Sequence, residues 1–361
     1  MVTSYLRRAY SSFAAHVVDI PPRLLAILCF SLLATLPVVN LNLYLVGVLV
    51  SANILAIFAA SWDLLVGRTG QMSLGHALFF GIGAYGTALL GKYYALPVWV
   101  TIPIAIAIGT AVGVLIGFPC LRIKGPYLAL VTMAFPTILT SVVYFYRDIF
   151  GGEIGVRGIP PLFPFLPIVQ QKLAEYYLTL ILLFASAVIL YKIANSHTGI
   201  VFVSILDDDL ASKASGINVT KYKLMAFAIS GLFASLSGSV YAHLIRVANP
   251  PTLSLTWSFI PVIVTFLGGI GTIYGPLIGA YIYYILDRYV LTILVKVPPE
   301  WVSGWEFAKL LIFTLIVAFL VIKWPRGLGR FVTDKLEDVE EARDIDERGP
   351  KIWKTYKKKK K

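Results

Sequence analysis

Charge is scarce in this chain. Asp, Glu, Lys and Arg make up 14% of its 361 residues, against 58% hydrophobic residues and a mean hydropathy of +0.80. A water-soluble fold cannot hide that much apolar surface. Cysteine is nearly missing: Cys29 and Cys120, both within or beside apolar runs, supply no disulfide framework. Histidine is rare as well, and His16, His76, His197 and His243 show no metal-ligand spacing with cysteines or carboxylates, so no metal is expected. No glycine loop ending in Gly-Lys-Ser or Gly-Lys-Thr occurs, which excludes nucleotide binding through a phosphate loop. Gly81 to Gly86 spells the dinucleotide fingerprint G-x-G-x-x-G, but no strand precedes it and it lies inside an apolar segment. No nucleophile, base and orienting group can be assembled, so no catalytic residue is nominated and the chain is not expected to be an enzyme.

Carboxylates inside the apolar runs are also few. Asp287 and Arg288 interrupt Tyr281–Val295, adjacent in sequence and about 100° apart on a helix. A proton- or sodium-coupled carrier would show more buried carboxylates than this, which disfavours an ion-coupled secondary transporter. The net charge of +12 does not indicate nucleic acid, because 12 of the 31 basic residues lie in the tail from Trp324 to Lys361 and others flank apolar segments.

What is present is a succession of apolar runs. They define an all-α polytopic membrane protein with about eight to ten transmembrane helices. The expected crossings are 24–39, 43–61, 74–91, 98–118, 126–147, 176–194, 222–245, 257–268, 273–296 and 307–323. The run 257–268 is short and contains Pro261, so it is expected to be re-entrant rather than spanning. This division gives a cytoplasmic N-terminal segment 1–23, a transmembrane domain 24–323 and a charged cytoplasmic tail 324–361. Within the domain lie an external Gly- and Pro-rich loop, 148–175, and a cytoplasmic loop, 195–221. Both termini fall in the cytoplasm of a multi-pass protein of the cell membrane.

Val66 to Leu90 organises the chain. Six glycines accompany Arg68, Thr69, Gln71, Ser73 and His76 in an apolar neighbourhood. Irregular backbone is tolerated in lipid only where protein buries it or a cavity hydrates it, so the stretch points to a discontinuous helix lining a solute path. Gln71, Ser73 and His76 are the path candidates. The alternative is a short cytoplasmic loop running into an ordinary helix whose glycines allow close packing. Small residues recur every four positions elsewhere, in Gly109, Gly113 and Gly117, in Gly231, Ser235 and Ser239, and in Gly271, Gly275 and Gly279. Such ridges let membrane helices approach closely.

In the 195–221 loop, Asp207, Asp208 and Asp209 precede Leu210, Ala211, Lys213 and Ala214, and Gly216 closes the run. Acids at the start and glycine at the end suit the dipole and C-cap of a short surface helix.

Several ordered blocks together resemble the M-type (LivM-like) permease subunit of branched-chain amino-acid ABC importers, a family that also includes urea and amide permeases. The blocks are Leu64–Gly67, Gly70–Ala77, Phe80–Tyr85, Leu121–Tyr127, Gly216–Val219 through Lys223–Leu224, and Leu267–Thr272 to Gly275–Pro276. The resemblance implies an ABC importer permease fold and a translocation path for hydrophobic amino acids, or for urea, amides or other small solutes. It implies as partners a second related permease, two ATPase subunits that bind ATP and Mg, and an extracytoplasmic solute-binding protein, with no cofactor on this chain. The 195–217 loop would be the coupling element seated on the ATPase. The family usually has arginines where this chain has Ile200, Val203 and Leu206, and glutamate where it has Lys213, which makes the loop unusually apolar. The basic end of the tail, Lys357–Lys361 with Trp353 and Tyr356, is suited to rest on anionic lipid.

Overall fold

Backbone amides and carbonyls in lipid must find partners within their own segment or chain, which favours helices. Among the described residues, the computed structural model of the chain is helical almost throughout. It describes residues 30–37, 42–120, 123 and 125–287, with single helical residues at 315, 319, 322 and 323. The N-terminal segment 1–23, the tail from 324, Cys29, Arg288 and most of the expected crossing 307–323 lie outside the described residues. The chain divides into two units, residues 1–41 with 329–361, and 42–328. Of the first, residues 30–37 are helical, inside the expected crossing 24–39.

The second unit runs α1 (Leu43–Thr69), α2 (His76–Tyr94), α3 (Val98–Cys120), α4 (Pro126–Phe145), α5 (Arg147–Phe150), a 3-10 turn Gly152–Ile154 and β1 (Val156–Arg157). It continues with α6 (Ile168–Ala194), α7 (His197–Asp207), α8 (Asp209–Ala214), α9 (Val219–Ile245), β2 (Val247–Ala248), a 3-10 turn Pro250–Leu253, α10 (Leu255–Gly268) and α11 (Tyr274–Ile285). Among the described residues, α1, α3, α4, α6 and α9 are long and apolar enough to cross a membrane.

Two helices, α1 and α6, run about two turns past their expected limits, and in each an acidic side chain finds a partner. The first long crossing was expected to stop at 61, ahead of Asp63, but α1 continues to Thr69 because the Asp63 carboxylate finds a donor within the bundle. The 148–175 loop is shorter than expected, since α6 begins at Ile168. Gln171 donates to Glu175 Oε1 at 2.8 Å and Lys172 pairs with Glu175 Oε2 at 3.0 Å, so helical spacing neutralises a carboxylate that reads as a loop residue.

The small-residue ridges are contact lines. A Cβ on Gly113 would come 2.7 Å from Phe227 O, and one on Gly117 would come 3.0 Å from Phe227 Cβ. Facing them, a Cβ on Gly231 would come 2.9 Å from Gly109 O, so α3 and α9 meet backbone to backbone. Ser235 donates to Phe79 O at 3.1 Å and Ser239 to Gly83 O at 3.0 Å, which ties α9 to α2 as well. Gly275 and Gly279 pack α11 against α10. Gly271 departs from the expected ridge: it precedes α11, in a turn, with φ 76°. That left-handed conformation is open to glycine at little cost, so the four-residue spacing there mixes a turn with a helix face.

Opposite ends of the bundle carry different structures. At one end β1 and β2 pair antiparallel, Val156 opposite Ala248, joining the segment after α4 to the segment after α9. Val156, Ile159, Ala248 and Leu253 are buried there against Ala84, Tyr85 and Ala88 of α2 and Val143 of α4. His243 fastens this end: Pro160 O can only accept, so Nδ1 carries a proton and donates at 2.8 Å, while Nε2 lies 2.9 Å from Thr87 Oγ1. The other end carries α7 and α8.

Candidate functional site

Two irregular stretches enter the bundle and meet beside the first turns of α2. After Thr69 the chain does not turn straight into a helix. Residues 70–75 run back along the end of α1, where Trp62 Nε1 donates to Ser73 O at 2.8 Å, and α2 starts only at the level of Ser61, whose hydroxyl lies 2.8 Å from His76 Nε2. Eight residues of α1 beyond Ser61 correspond to about 12 Å. The stretch is thus irregular chain at depth, and part of its backbone is held by the bundle: Leu74 N–H donates to Thr132 Oγ1 of α4 at 3.0 Å, and Gly75 N–H to Ser73 Oγ at 3.4 Å.

From the other end, residues 246–254 descend to the same place. Leu253 fills the space beside Gly81, and Ala77 N–H donates to Ser258 Oγ at 3.2 Å. Trp257 stacks on Phe80 with ring centroids 4.7 Å apart. The helix that follows, α10, has 14 residues. At about 21 Å it is shorter than the roughly 30 Å hydrocarbon core, consistent with the re-entrant character expected of 257–268. The N-terminal turns of α2 and α10 therefore overlap inside the bundle, running in opposite directions.

The path candidates all lie in this junction. His76 is fully buried between Phe58 and Phe79, near Ser61 and, at 3.5 Å, Ser230 Oγ. Gln71 is buried and donates to Thr69 O at 3.2 Å; Ser73 is buried against Trp62. They hold the shape of the entry into α2. Met72, between them, is 52% exposed.

A second connection was not visible in the sequence reading. The turn between α10 and α11 is fixed by Asp63 Oδ1, which accepts from Gly271 N–H at 2.7 Å. Ten residues back on α1, Asn53 accepts from the Tyr281 hydroxyl and donates to Thr179 Oγ1 of α6 at 3.1 Å. These two ties, about 15 Å apart along α1, hold α11 antiparallel to it. Nothing in the local pattern around Asn53 and Asp63 reveals these partners, more than 200 positions away.

At the opposite edge of the site, the expected short helix is α8, and an additional helix, α7, precedes it. Asp208 is its N-cap, accepting from Leu210 N–H at 2.8 Å and Ala211 N–H at 3.0 Å. Gly216 follows it with φ 83°. The three aspartates divide their roles: Asp208 caps, Asp209 pairs with Lys223 of α9 at 3.2 Å, and Asp207 stands exposed. Ser204 and Ser212, 2.5 Å apart, pin α7 to α8. Val201, Ile205 and Val219 form a small core beneath, while Ile200, Leu206 and Leu210 face outward, with Ala211, Lys213 and Ala214 also exposed. Among the described residues no cluster of His, Cys, Asp or Glu is arranged to hold a metal ion.

The helices, the paired irregular entries and the charged turn define a polytopic membrane protein of the permease type. The chain belongs to the family described as branched-chain amino acid transport system / permease component, which matches residues 44–320. Among curated proteins it is similar to the high-affinity branched-chain amino acid transport system permease protein LivM of Salmonella typhimurium and of Escherichia coli. It is 27% identical to each over 289 residues, 74% of this chain and 65% of the relative. It is also 22% identical over 261 residues to the probable LivM of Methanocaldococcus jannaschii, covering 66% of this chain and 75% of that one. The match thus spans about 65% of the length of the two bacterial relatives. No solved structure matches the chain.

Proposed function

We propose that this chain is a permease subunit of an ATP-driven importer in the cell membrane, forming one wall of a path for branched-chain amino acids. The observation that carries this reading is the α7–α8 segment, a capped and ion-paired projection that offers Ile200, Leu210 and Asp207 to a partner instead of packing them. Transmission of force needs an element that is rigid and stands clear of the bundle. The junction of α2 and α10 supplies the path, with Gln71, Ser73 and His76 shaping its wall. In this reading a second related permease completes the path and two ATPase subunits, which hold ATP and Mg, seat the α7–α8 segment. A solute-binding protein approaches the β-ribbon end. Both termini are cytoplasmic, and this chain itself binds no cofactor.

The test is uptake of radiolabelled leucine into vesicles holding the purified complex. Leucine accumulation that requires ATP, in a preparation where an ATPase and a second permease copurify with this chain, is the expected result. Leucine entry without ATP, or through this chain alone, refutes the reading. Competition by urea or amides in place of leucine, isoleucine and valine would assign the other solute class.

A further inference from the structure

The α7–α8 segment packs directly on the irregular entry into α2 and is joined, through the end of α1, to the turn between α10 and α11. Leu206, in the last turn of α7, lies over Gly70, where a Cβ would come 2.9 Å from Leu206 Cδ1. Gly70 ends α1 in the left-handed region, φ 67°, and starts the irregular entry into α2. One turn back, Gly67 abuts the turn between α10 and α11: a Cβ there would come 2.7 Å from Gly271 N and 2.9 Å from Gly271 Cα. The same Gly271 amide is held by Asp63 at 2.7 Å. Beyond it, Thr272 accepts from Gly275 N–H at 3.1 Å and donates to Gly269 O at 2.7 Å, so the turn is continuous with the start of α11.

We infer that Asp63 is a positioning residue that locks the α10–α11 turn to α1, so that a displacement of α7, delivered through Leu206 to Gly70, moves the α2 entry and that turn together. Contacts between backbones at Gly67 and Gly271 leave no side-chain rotamer to absorb the motion, and close-packed interiors transmit displacement rather than damping it. An acidic side chain in a membrane helix is costly, and here Asp63 holds the amide of a turn. The inference rests on the permease reading for its purpose, but its mechanics can be examined without any solute.

Amide exchange in the full-length purified chain, read over residues 64–75 and 266–275, separates the alternatives. Leu206→Gly should raise exchange in both segments, by about threefold or more in the distant one, the scale of typical coupling between linked sites. In Asp63→Ala the 266–275 segment should already exchange faster, and adding Leu206→Gly should change it no further. Asp63→Asn, whose amide oxygen still accepts from Gly271, should transmit as the unmodified chain does. An effect of Leu206→Gly confined to 64–75 overturns the inference, and that arm decides alone if Asp63→Ala does not fold. So does an Asp63→Asn chain that behaves like Asp63→Ala. In the assembled importer, Asp63→Ala should lower leucine moved per ATP hydrolysed while hydrolysis continues, with Asp63→Asn restoring the ratio; a proportionate fall of both would mark a merely structural role and overturn the inference. If the unmodified importer moves no leucine, the solute assignment fails and the exchange result stands on its own.

Discussion

Lys223, near the start of α9, holds Asp209, the first residue of α8, at 3.2 Å. The lysine is nearly buried and the aspartate keeps 28% of its surface exposed, so the pair fixes the α7–α8 segment to a long helix without sealing it off.

Lys223→Ala removes the cation that pairs with the Asp209 carboxylate. Breaking a buried pair in this way is strongly destabilising, and the residual exposure of Asp209 scales the expected loss down to about 1–3 kcal/mol. Thermal unfolding in detergent measures it. The exchanged pair, Asp209→Lys with Lys223→Asp, should recover part of the loss; a Lys223→Ala chain as stable as the parent would show that the pair holds nothing in place.

The neighbouring aspartates should respond differently. Asp208→Ala removes an N-cap and is expected to cost about 1 kcal/mol, with Asp208→Ser close to neutral. Asp207→Ala should leave unfolding unchanged while lowering recovery of the ATPase in pull-downs of the complex. Replacing all three with Ala should abolish ATP-dependent uptake with the membrane bundle still folded. Equal behaviour of the three single variants would contradict the division of roles seen in the structure.

Glycine positions can be ranked by the space beside them. Gly83→Ala drives a methyl into Ser235 O, and Gly113→Ala places one 2.7 Å from Phe227 O, whereas nothing lies within 4 Å of a Cβ on Gly91. The first two should destabilise by about 1–3 kcal/mol through overpacking. Gly91→Ala, on an open stretch of α2, should be neutral or gain up to about 1 kcal/mol from helix propensity. Unfolding curves for the three variants in one detergent are sufficient.

Tyr281→Phe deletes the donor to Asn53 with almost no change of shape. Polar ties between membrane helices average well under 2 kcal/mol, so a loss of about 1 kcal/mol is expected. Because this tie holds α11 to α1, the same variant should speed amide exchange in residues 276–285 and leave α3 unaffected. Uniform exchange across the protein would mean that the tie has no local role.

His243→Phe should loosen the β-ribbon end. The ring loses both its bond to Pro160 O and its bond to Thr87, and the residues around 158–164 should become cleavable by an added protease at a concentration that spares the parent chain. Protection equal to the parent would show that the ribbon and its buried cluster suffice.

Much of the helical layout was legible beforehand because lipid restricts the backbone so strongly: an apolar run must become a helix, and its length follows from the thickness it crosses. The small-residue ridges at Gly109–Gly117 and Gly231–Ser239 were legible for a similar reason, since a four-residue spacing places them on one helix face. The cap and glycine stop of α8 were local chemistry, readable within eight residues. The boundaries at Asp63 and Glu175 were not, because a charged residue reads as the end of a span unless its partner is known.

Composition and order of residues alone determined that this chain is a helical membrane protein and offered a charged surface helix near Asp207; between a discontinuous helix and a short loop in the 66–90 stretch, only the fold decided, by laying residues 70–75 back along α1. The fold decided which polar groups meet: Asp63 with Gly271, Asn53 with Tyr281, Lys223 with Asp209. Periodicity reports which side of a helix is apolar, but a hydrogen bond between positions some 200 residues apart exists only once the helices have chosen their neighbours, and that choice is made by the packing of the whole bundle.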